Sequence, residues 1–115
     1  MSLTRKIALI VLSLMSLAAG IAKILQTEQE VQFFAEAGLG VMPLMGLGLI
    51  QVAGGLLSWI RRFRLPGLLL IALGFFLSVV IIAVTGEFVF AALSMLPVLA
   101  SLWLSRLERS DVVGA

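Results

Sequence analysis

The sequence predicts an all-α membrane protein, a bundle of four transmembrane helices, and three observations support this fold class. The chain has 115 residues, of which 62% are hydrophobic and only 12% charged, which is more apolar surface than a soluble domain of this size buries. Four apolar runs each hold the roughly 17–25 residues needed to cross a bilayer. The alternating strands of an outer-membrane barrel are absent from the sequence pattern, so helices must satisfy the backbone in lipid.

The four apolar runs define one membrane domain joined by short connections. The predicted spans cover residues 7–25, 41–60, 65–84 and 88–105, followed by a cytoplasmic tail at 106–115. Only the first span contains a charged residue, Lys23. A cleaved signal peptide ending at "SLAAG" is the competing interpretation, but the apolar run continues through Leu25.

The charges of the connections predict the orientation. Basic residues precede the first span, form "RRFR" between the second and third, and follow the fourth. The other two connections are acidic and contain Glu28, Glu30, Glu36 and Glu87. Because Lys and Arg are retained on the cytoplasmic side, both termini are expected in the cytoplasm. The expected location is a bacterial cytoplasmic membrane.

The connection between the first two spans is predicted to contain a short amphipathic helix on the membrane surface. Thr27 and Glu30 have the three-residue spacing of a capping box. Phe33 falls outside the apolar stripe of this helix and is expected to contact lipid. The stripe consists of Val31, Phe34, Ala35 and Gly38. An extension of the first span is the alternative.

Small residues recur on one face of every span, the pattern by which membrane helices pack. Pro97 cannot donate to the carbonyl of Leu93, so the fourth span is expected to kink there, with Ser94 satisfying the freed backbone. The residues expected to pack the helices are Ser16, Gly20, Gly48, Gly54, Gly55, Gly74, Ser78, Ser94, Pro97 and Ser101.

Two polar residues lie at membrane depth and form the centre of a candidate polar or ligand site with Glu28, Glu36 and Glu87. Lys23 is expected to pair with an acidic residue of the outer connections, Glu28 or Glu87; ligand binding by Lys23 is the alternative. Gln51, near mid-membrane, is expected to make a cross-helix hydrogen bond. Because an amide does not titrate, Gln51 cannot carry a proton on its own.

The missing residue types limit the chemistry. The chain has no Cys, His or Tyr, and the predicted spans contain no carboxylate. It therefore lacks thiol chemistry, iron–sulfur ligands and the commonest metal ligand and neutral-pH base. No catalytic residue and no metal site are predicted, and an enzyme is disfavoured. The net charge is only +2 and the basic residues flank apolar runs, so no nucleic-acid partner is expected.

Four segments resemble the DoxX/DoxX-like family of four-helix membrane proteins. They are "AGIAKI", "FFAEAGLG", "GLGLIQVAGGLLSW" and "LPGLLLIALG". Gly20 and Lys23 match the family's Gly-x-x-Lys, and Gly54 and Gly55 match its paired glycine. Members commonly have Glu at the position of Gln51. This departure from the family pattern disfavours any role that needs a carboxylate in the core of the bundle. The family takes its name from a subunit of a thiosulfate:quinone oxidoreductase, and some members are associated with redox partners.

Three functions are compatible with these features. The first is an accessory or scaffold subunit in the lipid bilayer, which docks a membrane or redox protein partner, or a lipid, without chemistry of its own. A homo-oligomer is left open. The alternative is a quinone-binding subunit of a redox complex, with Lys23 donating a hydrogen bond to a quinone oxygen. The third is a small-solute transporter. It is disfavoured because small multidrug-resistance proteins rely on a glutamate inside the first span, and this first span has none.

Overall fold

Five α-helices follow one another along the chain in the computed structural model, which describes the backbone of residues 2–114 and the side chains of residues 2–109. They are α1 (Leu3–Ile24), α2 (Glu28–Glu36), α3 (Val41–Ser58), α4 (Arg64–Val84) and α5 (Phe88–Gly114), with a 3₁₀ turn at Arg61–Phe63 before α4. All except α2 are long and apolar enough to cross a membrane. No strand occurs between residues 2 and 114. The predicted all-α four-helix membrane bundle is confirmed.

Helices α1, α2 and α4 end where the backbone turns into the left-handed region. Gly38 follows α2 with φ 79° and Gly86 follows α4 with φ 89°, the position and conformation in which glycine terminates helices. Gln26 occupies the same position after α1 with φ 56°.

At the other end of the chain, the predicted cytoplasmic tail at 106–115 is not separate from the fourth span as far as it is described, because α5 continues through it to Gly114.

The four long helices pack in their order along the chain. Helix α1 packs on α3, α3 on α4, and α4 on α5, whereas α1 and α5 share few contacts. The bundle is therefore closed on three sides and leaves a groove between its first and last helices.

Glycines bring the packed helices into backbone contact. A Cβ atom added at Gly20 would lie 2.6 Å from the carbonyl oxygen of Gly48, and one added at Gly67 would lie 2.5 Å from the amide nitrogen of Ser58. Neither distance is sterically allowed, so α1 and α3, and likewise α3 and α4, can approach this closely only with glycine. Most of the residues predicted to pack the helices are buried: Ser16, Gly20, Gly48, Gly54, Gly55, Gly74, Ser78, Pro97 and Ser101.

Helix α5 continues through Pro97, and the kink expected there stays a prediction. The predicted role of Ser94 is wrong. Its hydroxyl donates to the carbonyl of Phe90 at 2.9 Å and does not reach the carbonyl of Leu93, because a serine side chain in a helix bonds most easily to the preceding turn. Ser94 is half-buried.

Helix α2 lies across one end of the bundle, as expected for a short amphipathic helix. Phe34 is buried in a cluster with Leu44 and Leu47 of α3. Phe33 packs against Phe90 of α5, with ring centroids 5.9 Å apart. We call this end of the bundle, which carries the α1–α2 and α4–α5 connections, the α2 end.

Two details of α2 differ from the prediction. Thr27 is the N-cap residue but makes no side-chain cap hydrogen bond, so the capping box with Glu30 does not form. Ala35 and Gly38, expected on the apolar stripe, are exposed. Phe33 is half-buried against Phe90, and its contact with lipid stays a prediction.

Candidate functional site

A groove of about 880 Å³ runs along the bundle between α1 and α5. Helices α1 and α5 form its walls, and Phe75, Ser78 and Ile82 of α4 lie along its floor. Met15 and Leu93, which line the walls, are also exposed on the surface of the bundle. The groove therefore opens sideways toward the hydrocarbon of the membrane. Its volume lies within the ~300–1,000 Å³ range of small-molecule sites.

The Gln51 side chain contributes a polar group to the floor of this otherwise apolar groove. Gln51 is 0% exposed, and neither Nε2 nor Oε1 has a hydrogen-bond partner among the residues whose side chains are described. Opposite it stands Gly74 of α4, where a Cβ would lie 2.6 Å from the Gln51 Cγ. The predicted cross-helix hydrogen bond of this amide is wrong, because the residue facing it has no side chain.

Two serines near the amide use their hydroxyl protons elsewhere. The Ser16 hydroxyl donates to the backbone carbonyl of Gln51 at 2.6 Å, which links α1 to α3. The Ser78 hydroxyl donates to the carbonyl of Gly74 at 3.0 Å, within α4. An unpaired amide in an apolar interior is destabilising, and native proteins rarely keep one without a reason. The side chains that the structure describes therefore do not explain the burial of the Gln51 amide.

Lys23 and Glu30 form an ion pair at the α2 end of the groove, and both line it. The Lys23 Nζ lies 3.4 Å from Oε2 of Glu30, and the Lys23 side chain is 4% exposed, that of Glu30 25%. Pairing of Lys23 with an acidic residue of this connection was predicted, but the predicted partners Glu28 and Glu87 are wrong. Those two residues and Glu36 are exposed.

The position of Glu30 explains why it is the partner. Glu30 and Phe34 are four residues apart and so share one face of α2. Phe34 is buried, which turns Glu30 toward the bundle as well. Glu30 was not predicted as a site residue, because its spacing from Thr27 indicates a capping box.

The two polar elements lie at different levels of the groove. Ser16 marks the level of Gln51 on α1, and Lys23 lies seven residues further along the same helix, or about 10 Å at the rise of an α-helix. The contact between Phe33 and Phe90 joins α2 to α5 at the α2 end, and Phe90 also lines the groove. The groove thus has an uncharged hydrogen-bonding group in its floor and an ion pair with aromatic rings at one end.

The polar groups of the groove are of kinds that bind through hydrogen bonds. Within residues 2–109, no three His, Cys, Asp or Glu side chains come together as a metal site would require. The polar groups that line the groove are an amide, hydroxyls and a paired lysine and glutamate. Such groups can position and hold an occupant through hydrogen bonds and apolar contacts.

No family model, curated protein or solved structure matches this chain. The resemblance to the DoxX-like family therefore stays a prediction based on the sequence motifs. The function is inferred below from the groove and the unpaired amide of Gln51.

Proposed function

We propose that this integral membrane protein holds a lipid-soluble molecule in the groove between α1 and α5 and acts as an accessory subunit without chemistry of its own. The observation that carries the proposal is the Gln51 amide, which is buried in the groove floor with no hydrogen-bond partner on either atom among the described side chains. An occupant that hydrogen-bonds to this amide removes the energetic penalty of its burial.

The shape and lining of the groove favour an occupant that comes from the bilayer. The walls are apolar and open toward the membrane hydrocarbon, so a molecule with an apolar tail enters without crossing water. Because the amide is fully buried, its contact with the head of the occupant requires side chains along the groove to rearrange. Met15, which lines the groove, has an unbranched side chain with three rotatable bonds.

A quinone is a second candidate for the same groove. Two hydrogen-bond donors line it, the Nε2 of Gln51 and the Nζ of Lys23, and a quinone carries carbonyl acceptors on opposite sides of its ring. Membership of the DoxX-like family, and with it a membrane or redox protein partner, belongs to this proposal and rests on the motifs around Lys23 and Gly54. The transporter hypothesis stays a prediction, and a homo-oligomer stays open.

Replacing Gln51 with Leu is expected to remove the bound molecule and leave the bundle folded. The substitution deletes both hydrogen-bonding atoms and also the burial of an unpaired amide, so the melting temperature should stay the same or rise. Protein purified in mild detergent would be extracted and the extract analysed by mass spectrometry for lipids and quinones. The wild type should carry one class of lipid-soluble molecule near stoichiometry, and Gln51→Leu should have lost most of it.

Gln32→Leu is the matched control, because it makes the same chemical change at an exposed position on α2. It should retain the molecule at the wild-type level. Equal retention in wild type and Gln51→Leu would contradict the proposal. So would a protein that co-purifies in a Gln51-dependent manner in place of any lipid-soluble molecule, which would favour a docking site for a partner.

The proposal includes an orientation, with both termini in the cytoplasm of a bacterium, which the charge asymmetry of the connections supports. Gln29 and Phe63 are exposed at opposite ends of the bundle, and the chain has no native cysteine. In intact cells, a membrane-impermeant thiol reagent should label Gln29→Cys, and should label Phe63→Cys only after permeabilisation. The reverse pattern would contradict the orientation and leave the four spans unaffected.

A further inference from the structure

The two unpaired atoms of the Gln51 amide have opposite hydrogen-bonding roles. Nε2 donates and Oε1 accepts, and both are buried without a partner among the side chains of residues 2–109. A ketone, ester or ether would satisfy Nε2 alone and leave Oε1 unpaired. A hydroxyl group accepts from Nε2 and donates to Oε1, so it can satisfy both atoms at once.

The charges along the groove limit the head of the occupant further. Lys23 and Glu30 are the only charged residues among those that line the described groove, and they lie within 3.4 Å of each other. Their charges therefore cancel. A carboxylate or ammonium head beside Gln51 would be an uncompensated charge in an apolar environment, which is strongly unfavourable. The head that fits is uncharged.

From these two observations we infer that the groove binds an uncharged, hydroxyl-bearing lipid, whose hydroxyl group hydrogen-bonds to both atoms of the Gln51 amide. This inference rests on the proposed function. The apolar tail of the lipid lies along the groove, against wall residues such as Leu12, Met15 and Leu93. A long-chain alcohol and a reduced quinone, which carries ring hydroxyls, share this chemistry; an oxidised quinone does not.

The inference is tested with three probes that share one chain and differ only in the head: hexadecanol, its methyl ether and hexadecane. Each would be added at the same mole fraction to purified protein in detergent micelles, and binding would be read by native mass spectrometry. Hexadecanol can pair both amide atoms, the ether one and the alkane none. We expect the alcohol to bind about three- to ten-fold more tightly than the ether, the range of one net hydrogen bond in a membrane protein.

A second arm of the experiment distinguishes the two sources of the hydroxyl. Decylubiquinol and decylubiquinone would be compared in the same way, under reducing and oxidising conditions respectively. If the groove admits a ring, hexadecanol should bind more tightly than its methyl ether, and decylubiquinol more tightly than decylubiquinone. Preference in the aliphatic arm alone assigns the site to a long-chain alcohol.

The variants separate failure of this inference from failure of the proposed function. Gln51→Leu should bind the alcohol, ether and alkane with nearly equal affinity, while Gln32→Leu should keep the wild-type order. If the ether binds the wild type as tightly as the alcohol, and both bind better than they do to Gln51→Leu, the hydroxyl inference is overturned but the groove stands. If none of the probes binds the wild type better than Gln51→Leu, the proposed function is overturned.

Discussion

Gly20→Ala is expected to lower the melting temperature of the protein in detergent, although alanine is the better helix former. A Cβ at this position would lie 2.6 Å from the carbonyl oxygen of Gly48 and 2.8 Å from the backbone nitrogen of Val52. Backbone atoms cannot rotate away, so α1 and α3 must separate. Overpacking of this kind costs about 1–3 kcal/mol, and the gain from replacing glycine in a helix offsets only about 0.5–1 kcal/mol of it.

Gly46→Ala provides the matched control for this prediction. Gly46 lies on α3, two residues before Gly48, and a Cβ added there would have nothing within 4 Å. This variant receives the same helix-forming gain without the clash, so its melting temperature should be unchanged or slightly higher. An equal loss of stability in both variants would show that the separation of α1 and α3 is not the cause.

The same substitution should affect the groove, because α1 is one of its walls. When α1 moves away from α3, the hydrogen bond from Ser16 to the Gln51 carbonyl is weakened, and the amide shifts relative to the groove. We expect Gly20→Ala to retain less of the bound molecule than Gly46→Ala in the same extraction assay.

The spans and their packing faces could be predicted from the sequence because they depend on local properties. A run of about twenty apolar residues crosses a bilayer whatever its neighbours are, and small residues spaced by one helical turn place themselves on one face. Ser16 and Gly20 are buried for this reason. The predicted spans differ from the helices mainly at their ends, where α1 begins at Leu3 and α5 extends beyond residue 105.

The partner of Lys23 could not be predicted in the same way, since it depends on how α2 is rotated about its axis. Residues 28 and 30 lie on nearly opposite faces of a helix, at 100° per residue. Which of them faces the bundle is decided by the insertion of Phe34 between α2 and α3. The spacing of Thr27 and Glu30 predicts a capping box within α2. In the structure Glu30 pairs with Lys23 instead.

The groove could not be predicted from the sequence for a related reason. All four spans have a face of small residues, and their sequences do not indicate which pair of helices packs loosely. In the structure this pair is α1 and α5, which share few contacts. The hydrogen bond predicted for Gln51 assumed that a polar group would face it. Gly74 faces it instead, and the amide has no hydrogen-bond partner among the described side chains.

Glu30→Gln is expected to destabilise the protein more than Lys23→Met does. Removal of the carboxylate leaves the Lys23 ammonium, whose side chain is 4% exposed, without a counter-charge. Breaking a fully buried pair costs about 3–5 kcal/mol, and the loss here should be smaller because Glu30 is partly exposed and the lysine can extend toward the membrane surface. Lys23→Met leaves the glutamate, which is 25% exposed and therefore better solvated.

The double variant decides whether the two residues act as a pair. If they do, Lys23→Met combined with Glu30→Gln should recover much of the stability lost in Glu30→Gln, because no unpaired charge remains in the groove. The melting temperatures of the two single variants and the double variant in detergent would measure the coupling. Lys23→Met combined with Glu28→Gln or Glu87→Gln serves as the control, and there the effects should simply add, since both glutamates are exposed. Additive effects in the Glu30 combination as well would show that the ion pair does not hold α2 over the end of the groove.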